Sequence, residues 1–414
     1  MSHPRVAPLT TTGTTTGTTT GQAAGPTAVP TVPAVVLDDV RRRLAGSAGE
    51  LTPHRVAEAL RASGAPVGDA TVLAVHDLLR RDVLGAGPLE DLLRLPDVTD
   101  VLVNGPDEVW IDRGGGLERA SVSFPDDAAV RRLAQRLAAS AGRRLDDATP
   151  HADVRLADGT RFHAVLSPVA RSGTVLSLRV PRGRVWTLPE LVTAGAVPPD
   201  GAFLLEEIVD SRCAFLVTGG TGTGKTSVLS ALLSLVDPGE RIVLVEDASE
   251  LRPDHPHVVG LEGRPANIEG AGEISLQVLV RQALRMRPDR LVVGEVRGAE
   301  VVDLLAALNT GHGGGCGTLH ANSAADVPAR VEALSLAAGL PRSAAHSQLA
   351  SALDVVIHLG RGRDGRRRVL ELGVPERDAS GLVALRTAAT FEADRVVRGP
   401  AAGALAARLR SVAW

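Results

Sequence analysis

Residues 219–226 read GGTGTGKT and fit the pattern G-x-x-x-x-G-K-[ST] without a mismatch. In such a loop Gly219, Gly220, Thr221, Gly222, Thr223 and Gly224 let backbone N–H groups turn inward and cradle phosphate oxygens. The helix that starts with Lys225, Thr226 and Ser227 offers its N-terminal dipole to the same anion. Lys225 places a mobile charge at the β/γ-phosphates of a nucleotide such as ATP, and the Thr226 hydroxyl can coordinate Mg²⁺. Lys225 is also the one lysine among 45 basic residues. The bland alternative is a Gly-rich turn with an accidental lysine, which leaves the apolar strand before it and the helix after it unexplained.

Carboxylates arrive at the ends of two further apolar runs. RIVLVE delivers Glu246 and Asp247, with Glu250 a few residues on, and RLVVGE delivers Glu295 directly after Gly294. Acids at the carboxyl ends of buried strands stand where phosphates would lie, suited to ordering Mg²⁺ or polarising an attacking water. Solvated loops capping strands would look the same in isolation. Asp289 precedes the second run rather than following it. The segment TGHGGGCGTLHAN holds His312 and His320, and a short strand over 316–319 would present His320 at the same sheet edge, where a neutral imidazole could hydrogen-bond a γ-phosphate. The other histidines, His346 and His358 among them, lack metal-ligand spacing and read as packing or surface residues. Arg161 and Arg179 lie in a β-rich segment upstream and would neutralise phosphate charge if that segment closed over the nucleotide. Arg281 and Arg285, four residues apart on one helix, read as a solvated face.

The elements that must position these groups follow from pattern. Residues 1–36 are Thr/Gly- and then Pro-rich and read as a disordered leader. Over 37–96 the apolar residues recur every three or four positions, giving a small helical domain. Residues 97–190 alternate strands with one long helix, an α+β domain that ends in a Pro-punctuated connector, VWTLPELVTAGAVPPDG. From 191 to 414 strand, loop and helix alternate, which predicts an α/β domain with a parallel sheet covered on both faces.

At 414 residues, two or three domains are expected. A formal net charge of −3 and 2% aromatic residues make nucleic acid an unlikely partner. Two cysteines, Cys213 and Cys316, cannot make a zinc site and read as buried thiols. Without a signal peptide or an apolar run of ~20 residues, the chain reads as cytoplasmic, with only peripheral membrane contact.

In order, GGTGTGKT, VEDASEL, LRMRPDRLVVGEVRG and TGHGGGCGTLHANS resemble the Walker A, Asp box, atypical Gly–Glu Walker B and His box of the type II/IV secretion ATPase superfamily. HANSAADVPARVEAL resembles its HANS…R-x-E-x-L run, and the upstream GAGPLEDLL, VTDVLVNGPDEVWIDR and RRLDDATPHADVRLADGTRFHAVLSP resemble the CpaF/Tad-type (Flp pilus assembly) branch. The resemblance covers roughly 38–375. It implies a RecA-like P-loop ATPase core, ATP and Mg²⁺ as ligands, a homo-hexamer, and docking to integral-membrane platform proteins. It also implies site roles: Lys225 and Thr226 on phosphates and Mg²⁺, Asp247 toward the metal, and Glu246 or Glu250 orienting water. Glu295 acts through Mg²⁺ or water, His320 senses the γ-phosphate, and Arg161 and Arg179 reach the nucleotide from the N-terminal domain. Two readings stand side by side: a motor for pilus assembly or protein secretion, and a conjugation-type DNA-transfer ATPase.

Overall fold

The computed structural model describes residues 52–410, except 65, 66, 84, 182–184, 265, 267–269, 312 and 363, together with Val36, Asp39, Val40, Arg43 and Leu44. The leader expected over 1–36 lies outside these residues but for Val36, and His312 lies outside them as well. The chain forms two compact units, Met1–Glu90 and Asp91–Trp414.

In the first unit, helices α1 (Pro53–Ala62) and α2 (Asp69–Val83) bring Val56, Leu60, Val72, Val75 and Leu79 into one small core with Val40. Their three- and four-residue spacing makes one apolar stripe per helix. Thr52 caps α1 by accepting from the Arg55 N–H, with Pro53 in the first turn. Helix α3 (Glu90–Leu93) leads into the second unit.

The second unit opens with β1 (Asp100–Asn104), β2 (Val109–Asp112), β3 (Leu117–Arg119), α4 (Asp127–Ser140), β4 (His151–Arg155), β5 (Arg161–Val165) and β6 (Val175–Arg179). The strands form an antiparallel sheet ordered β3-β2-β1-β6-β5-β4. Burial alternates along them. Val101, Val103, Phe162, Ala164, Leu176 and Leu178 are buried, while the residues between them are half-buried or exposed. That alternation marks a sheet covered on one face, with α4 packed on the β4–β5 end. Arg161 stands in register with both Arg155 and Arg179, so three arginines lie side by side at one sheet edge.

The expected connector is structured. It contains α5 (Leu188–Thr193) and the start of α6 (Pro199–Asp210), and Thr187 and Glu190 close a capping box at the head of α5. Leu188, Leu191 and Val197 bury into the same core as Leu204, Leu205, Ile208 and Phe215. The prolines that suggested a linker sit at N1/N2 of each helix, where a missing N–H costs nothing.

The main sheet is built from β7 (Phe215–Gly219), β8 (Ile242–Glu246), β9 (Val258–Glu262), β10 (Arg290–Val296), β11 (Cys316–Leu319) and β12 (Val355–Arg361), with helices α7 (Lys225–Leu233), α8 (Leu276–Ala283), α9 (Glu300–Asn309), α10 (Val327–Ala337) and α11 (Arg342–Ala352). Strands β13 (Arg367–Arg377), β14 (Val383–Phe391) and β15 (Val396–Arg398) and helix α12 (Ala402–Ala406) follow. The order is β15-β14-β13-β12-β7-β11-β10-β8-β9. From β12 to β9 the pairs are parallel, and from β12 to β15 they are antiparallel. Neighbouring residues feed opposite cores: Phe215 and Val217, Ile242 and Leu244 face one; Leu216, Val243 and Val245 the other. Two-sided burial explains the unbroken apolar runs. Both cysteines are buried thiols, with burial raising each to a pKa of about 12.

Candidate functional site

The carboxyl ends of β7, β8, β10 and β11 converge on the loop before α7. Gly219 has φ +148°, and a Cβ there would lie 2.5 Å from the Leu359 carbonyl oxygen, so only glycine fits. Gly222 and Gly224 also take positive φ, turning the loop so that α7 begins at Lys225. Lys225 is buried, and its Nζ donates to the carbonyls of Gly219 and Gly220 at 3.0 Å each. It also lies 3.4 Å and 3.5 Å from the two ring nitrogens of His320. Burial pulls the lysine pKa down, and the Glu295 carboxylate opposes that shift.

Glu246 closes β8 and is buried; its Oε1 accepts from the backbone N–H of Leu251 (2.9 Å) and Glu250 (3.0 Å). Burial pushes its pKa up to about 7, against the pull of those two amides. The Gly294–Glu295 pair has a steric cause. A Cβ at position 294 would stand 2.6 Å from Glu246 Cγ, so the glycine makes room for the neighbouring strand's acid. Thr318 Oγ1 anchors the same spot by donating to the Gly294 carbonyl at 2.6 Å.

Glu295 Oε2 accepts from Arg297, whereas Oε1 is buried without a hydrogen bond although His320 Nε2 lies 2.6 Å away. Burial, then the charge of Lys225, lowers the His320 pKa, which favours a neutral imidazole. Asp247 lies 3.8 Å from Arg297, and its pKa is raised chiefly by burial.

A cleft of about 430 Å³ opens above the loop. It brings together Thr221, Gly222, Thr223, Gly224, Lys225, Thr226, Ser227, Glu250, Glu295 and His320 with Arg161 and Arg179 from the antiparallel sheet. Gly219 and Gly220 form the base of the loop rather than the lining. Glu246 and Asp247 line an adjoining recess of about 30 Å³, shared with Thr226, Glu295 and Arg161. Across the cleft Arg161 pairs with Glu250 at 3.2 Å, and Arg155 with Glu262 at 2.5 Å. Among the described residues, eight basic side chains and four carboxylates line the cleft, although the chain carries a net charge of −3. A concave surface with that surplus of cations suits a polyphosphate.

Sequence reading missed Arg155, Arg252, Arg297, Arg361 and Arg367, all of which line the cleft. In an arginine-rich chain only register shows Arg155 beside Arg161. The Asp364–Gly365 turn between β12 and β13 was a legible hairpin signal for Arg361 and Arg367. Arg281 lies away from the cleft, paired with Asp303 at 2.7 Å on an exposed face. His346 is a buried packing residue, its Nε2 3.0 Å from Glu332 and its Nδ1 accepting from the Val383 N–H.

Among the described residues no group of three or more His, Cys, Asp or Glu side chains could hold a metal alone. Mg²⁺ is ordinarily held by one or two protein oxygens plus waters and phosphates, and Glu295, with Oε1 lacking a hydrogen bond and Thr226 lining the same recess, fits that mode.

A RecA-like P-loop ATPase core beside a smaller α+β domain is the class that this fold and site define. The chain belongs to the family described as type II/IV secretion system protein, which matches residues 82–369. It is 56% identical over 342 residues to a Mycobacterium tuberculosis (strain H37Rv) protein named for conjugal transfer, covering 81% of this chain and 96% of that protein. It is 33% identical over 314 residues to the type IV secretion system protein PtlH of Bordetella pertussis, covering 69% and 92%. A crystal structure of the VirB11 ATPase from the Brucella suis type IV secretion system is 27% identical, with TM-score 0.37 over 69% of this chain and 92% of that one. Among the described residues no helix is long and apolar enough to cross a membrane.

Proposed function

We propose that the chain hydrolyses ATP as a hexameric motor of the CpaF/Tad type, powering Flp-pilus assembly or type II/IV protein secretion. It would work at the cytoplasmic face of the membrane, docked to integral-membrane platform proteins. The reading rests on one observation: the charge of Lys225, the acids at two strand ends and the arginines of a second sheet meet in one cleft and the recess adjoining it.

In this mechanism the loop amides and Lys225 take the β/γ-phosphates and leave the loop carbonyls behind. Thr226, Asp247 and Glu295 would hold Mg²⁺, which when bound would neutralise phosphate charge. Glu246, with one oxygen fixed by two amides and a pKa about 7, takes the proton of the attacking water. Glu250 is occupied by Arg161 and becomes available when that arginine turns to the nucleotide. Arg161 and Arg179 spread the charge of the transferring phosphoryl group, and neutral His320, beside Lys225 and Glu295, reports the γ-phosphate. We assign 37–96, 97–190 and 191–414 as the three working domains, the second swinging its arginines onto the third.

Lys225→Ala should abolish hydrolysis in a protein that still folds. Retention of wild-type ATPase activity would overturn the site, and sedimentation with and without nucleotide tests the hexamer. Identity to a relative named for conjugal transfer favours a second reading, a DNA-transfer ATPase. Salt-sensitive stimulation of hydrolysis by DNA would establish it over the first.

A further inference from the structure

Arg155 ends β4 in register with Arg161 on β5, and neighbouring strands stand about 4.8 Å apart, so the two side chains leave the sheet side by side. They land differently. Arg161 reaches Glu250, the group that it must leave in the proposed mechanism. Arg155 reaches Glu262, the last residue of β9, with Nη1 2.5 Å from Oε1. The turn from β4 to β5 makes room for the guanidinium, since a Cβ at Gly159 would lie 3.3 Å from Arg155 Nη2.

Glu262 passes the contact on. Its Oε2 accepts from the Ser249 hydroxyl at 2.8 Å, and Arg155 Nη2 donates to the Ser249 carbonyl at 3.5 Å. Burial would raise the Glu262 pKa, yet the hydrogen bonds from Arg155 and Ser249 prevail and keep the carboxyl below its ordinary range. Ser249 is therefore held at both its hydroxyl and its carbonyl. The next two amides, those of Glu250 and Leu251, are the donors that fix Glu246 Oε1 at 3.0 Å and 2.9 Å. From Arg155 to the buried acid, every link is a hydrogen bond or the chain itself.

We propose that Arg155 and Glu262 are positioning residues, whose ion pair holds residues 249–251 in the conformation that fixes Glu246 and stays closed when Arg161 turns to the nucleotide. The proposal rests on the ATPase reading. Arg155 lines the cleft, but its charge answers Glu262 rather than a phosphate. With side chains 26% and 37% exposed, the pair adds little to stability, so variants that break it should fold. Its effect lies in placement, because a displacement of ~1 Å costs up to ~10²-fold in rate.

The test uses the full chain with Arg155→Met, Glu262→Leu, the two combined, and Glu262→Gln, which keeps a carbonyl oxygen for Arg155. Three readouts are taken: steady-state hydrolysis, equilibrium ADP affinity, and amide hydrogen exchange over residues 249–251 without nucleotide. Arg155→Met and Glu262→Leu should each lower kcat by roughly tenfold or more, while ADP affinity moves by less than about threefold. The Glu250 and Leu251 amides should exchange faster in both. Combining the two should cost no more than either alone, since each acts through the other, and Glu262→Gln should keep most of the turnover. A phosphate ligand would behave otherwise: Arg155→Met would then lose turnover and ADP affinity together, and Glu262→Leu, which frees the arginine, would lose neither. That pattern, or losses that add in the combined variant, would overturn the proposal. The exchange readout needs no hydrolysis. A wild type without ATPase activity therefore sinks the ATPase reading, whereas unchanged exchange in Glu262→Leu sinks the hold on 249–251 by itself.

Discussion

Strand β10 carries a charged residue at its start and another one place before its last residue, and the two are treated oppositely. At its start Arg290 is 2% exposed and fully engaged. It pairs with Glu240 at 2.5 Å and also donates to the carbonyls of Val209 and Gly314. At its end Glu295 keeps a buried oxygen with no hydrogen bond, in contact distance of a histidine, and Gly294 beside it makes way for a second buried acid. The same buried sheet supports both. A satisfied ion pair fixes geometry and is inert, whereas a carboxylate oxygen left without a hydrogen bond, as in Glu295, keeps the capacity to bind something. Function sits where the polar accounting is left open.

The largest effect expected is at the open end. Lys225→Ala removes the cation to which the loop is shaped, and ATP hydrolysis should fall to background in a phosphate-release assay. Glu246→Gln should lose nearly all turnover yet gain stability. The folded pKa of about 7 lies above the ordinary 4.5, so the fold is penalised as pH rises from 4.5 through 7 and carries the full cost above that. A neutral amide there avoids the cost, and thermal unfolding at pH 8 should show a gain on the order of 2 kcal/mol. For the wild type, kcat/KM should fall as pH drops below about 7, where Glu246 takes up its proton; a profile flat down to pH 5 would remove Glu246 as the base.

Arg161→Ala should lower kcat by ~10²-fold, less than the ~10³–10⁵ of a solitary arginine finger, because Arg179 stands beside it. At the closed end of β10 the expectation reverses. Arg290→Met leaves Glu240 without its main partner and should cost about 3 kcal/mol in urea unfolding, while kcat per folded molecule stays unchanged. A loss of turnover there without a loss of stability would erase the distinction between the ends. Arg281→Ala, on an exposed face, should alter neither.

Much of this site could be read along the chain. The phosphate loop is local: its glycines, lysine and threonine act through the backbone they belong to, so their order in sequence already encodes their geometry. Strand-end acids were legible because period and apolar runs locate strand ends. A capping box in TLPE announced α5 but was overlooked behind its prolines, and an Asp–Gly turn announced the hairpin after β12.

Composition and order of motifs fixed the chemistry of the loop, the alternation of strand and helix, and the family. Tertiary structure decided which arginines among many face the cleft, that Gly294 exists to admit Glu246, and that His358 is bonded to Thr218 rather than merely buried. These are contacts between residues up to 140 positions apart. Such contacts depend on sheet order and register, which no local pattern of side chains records.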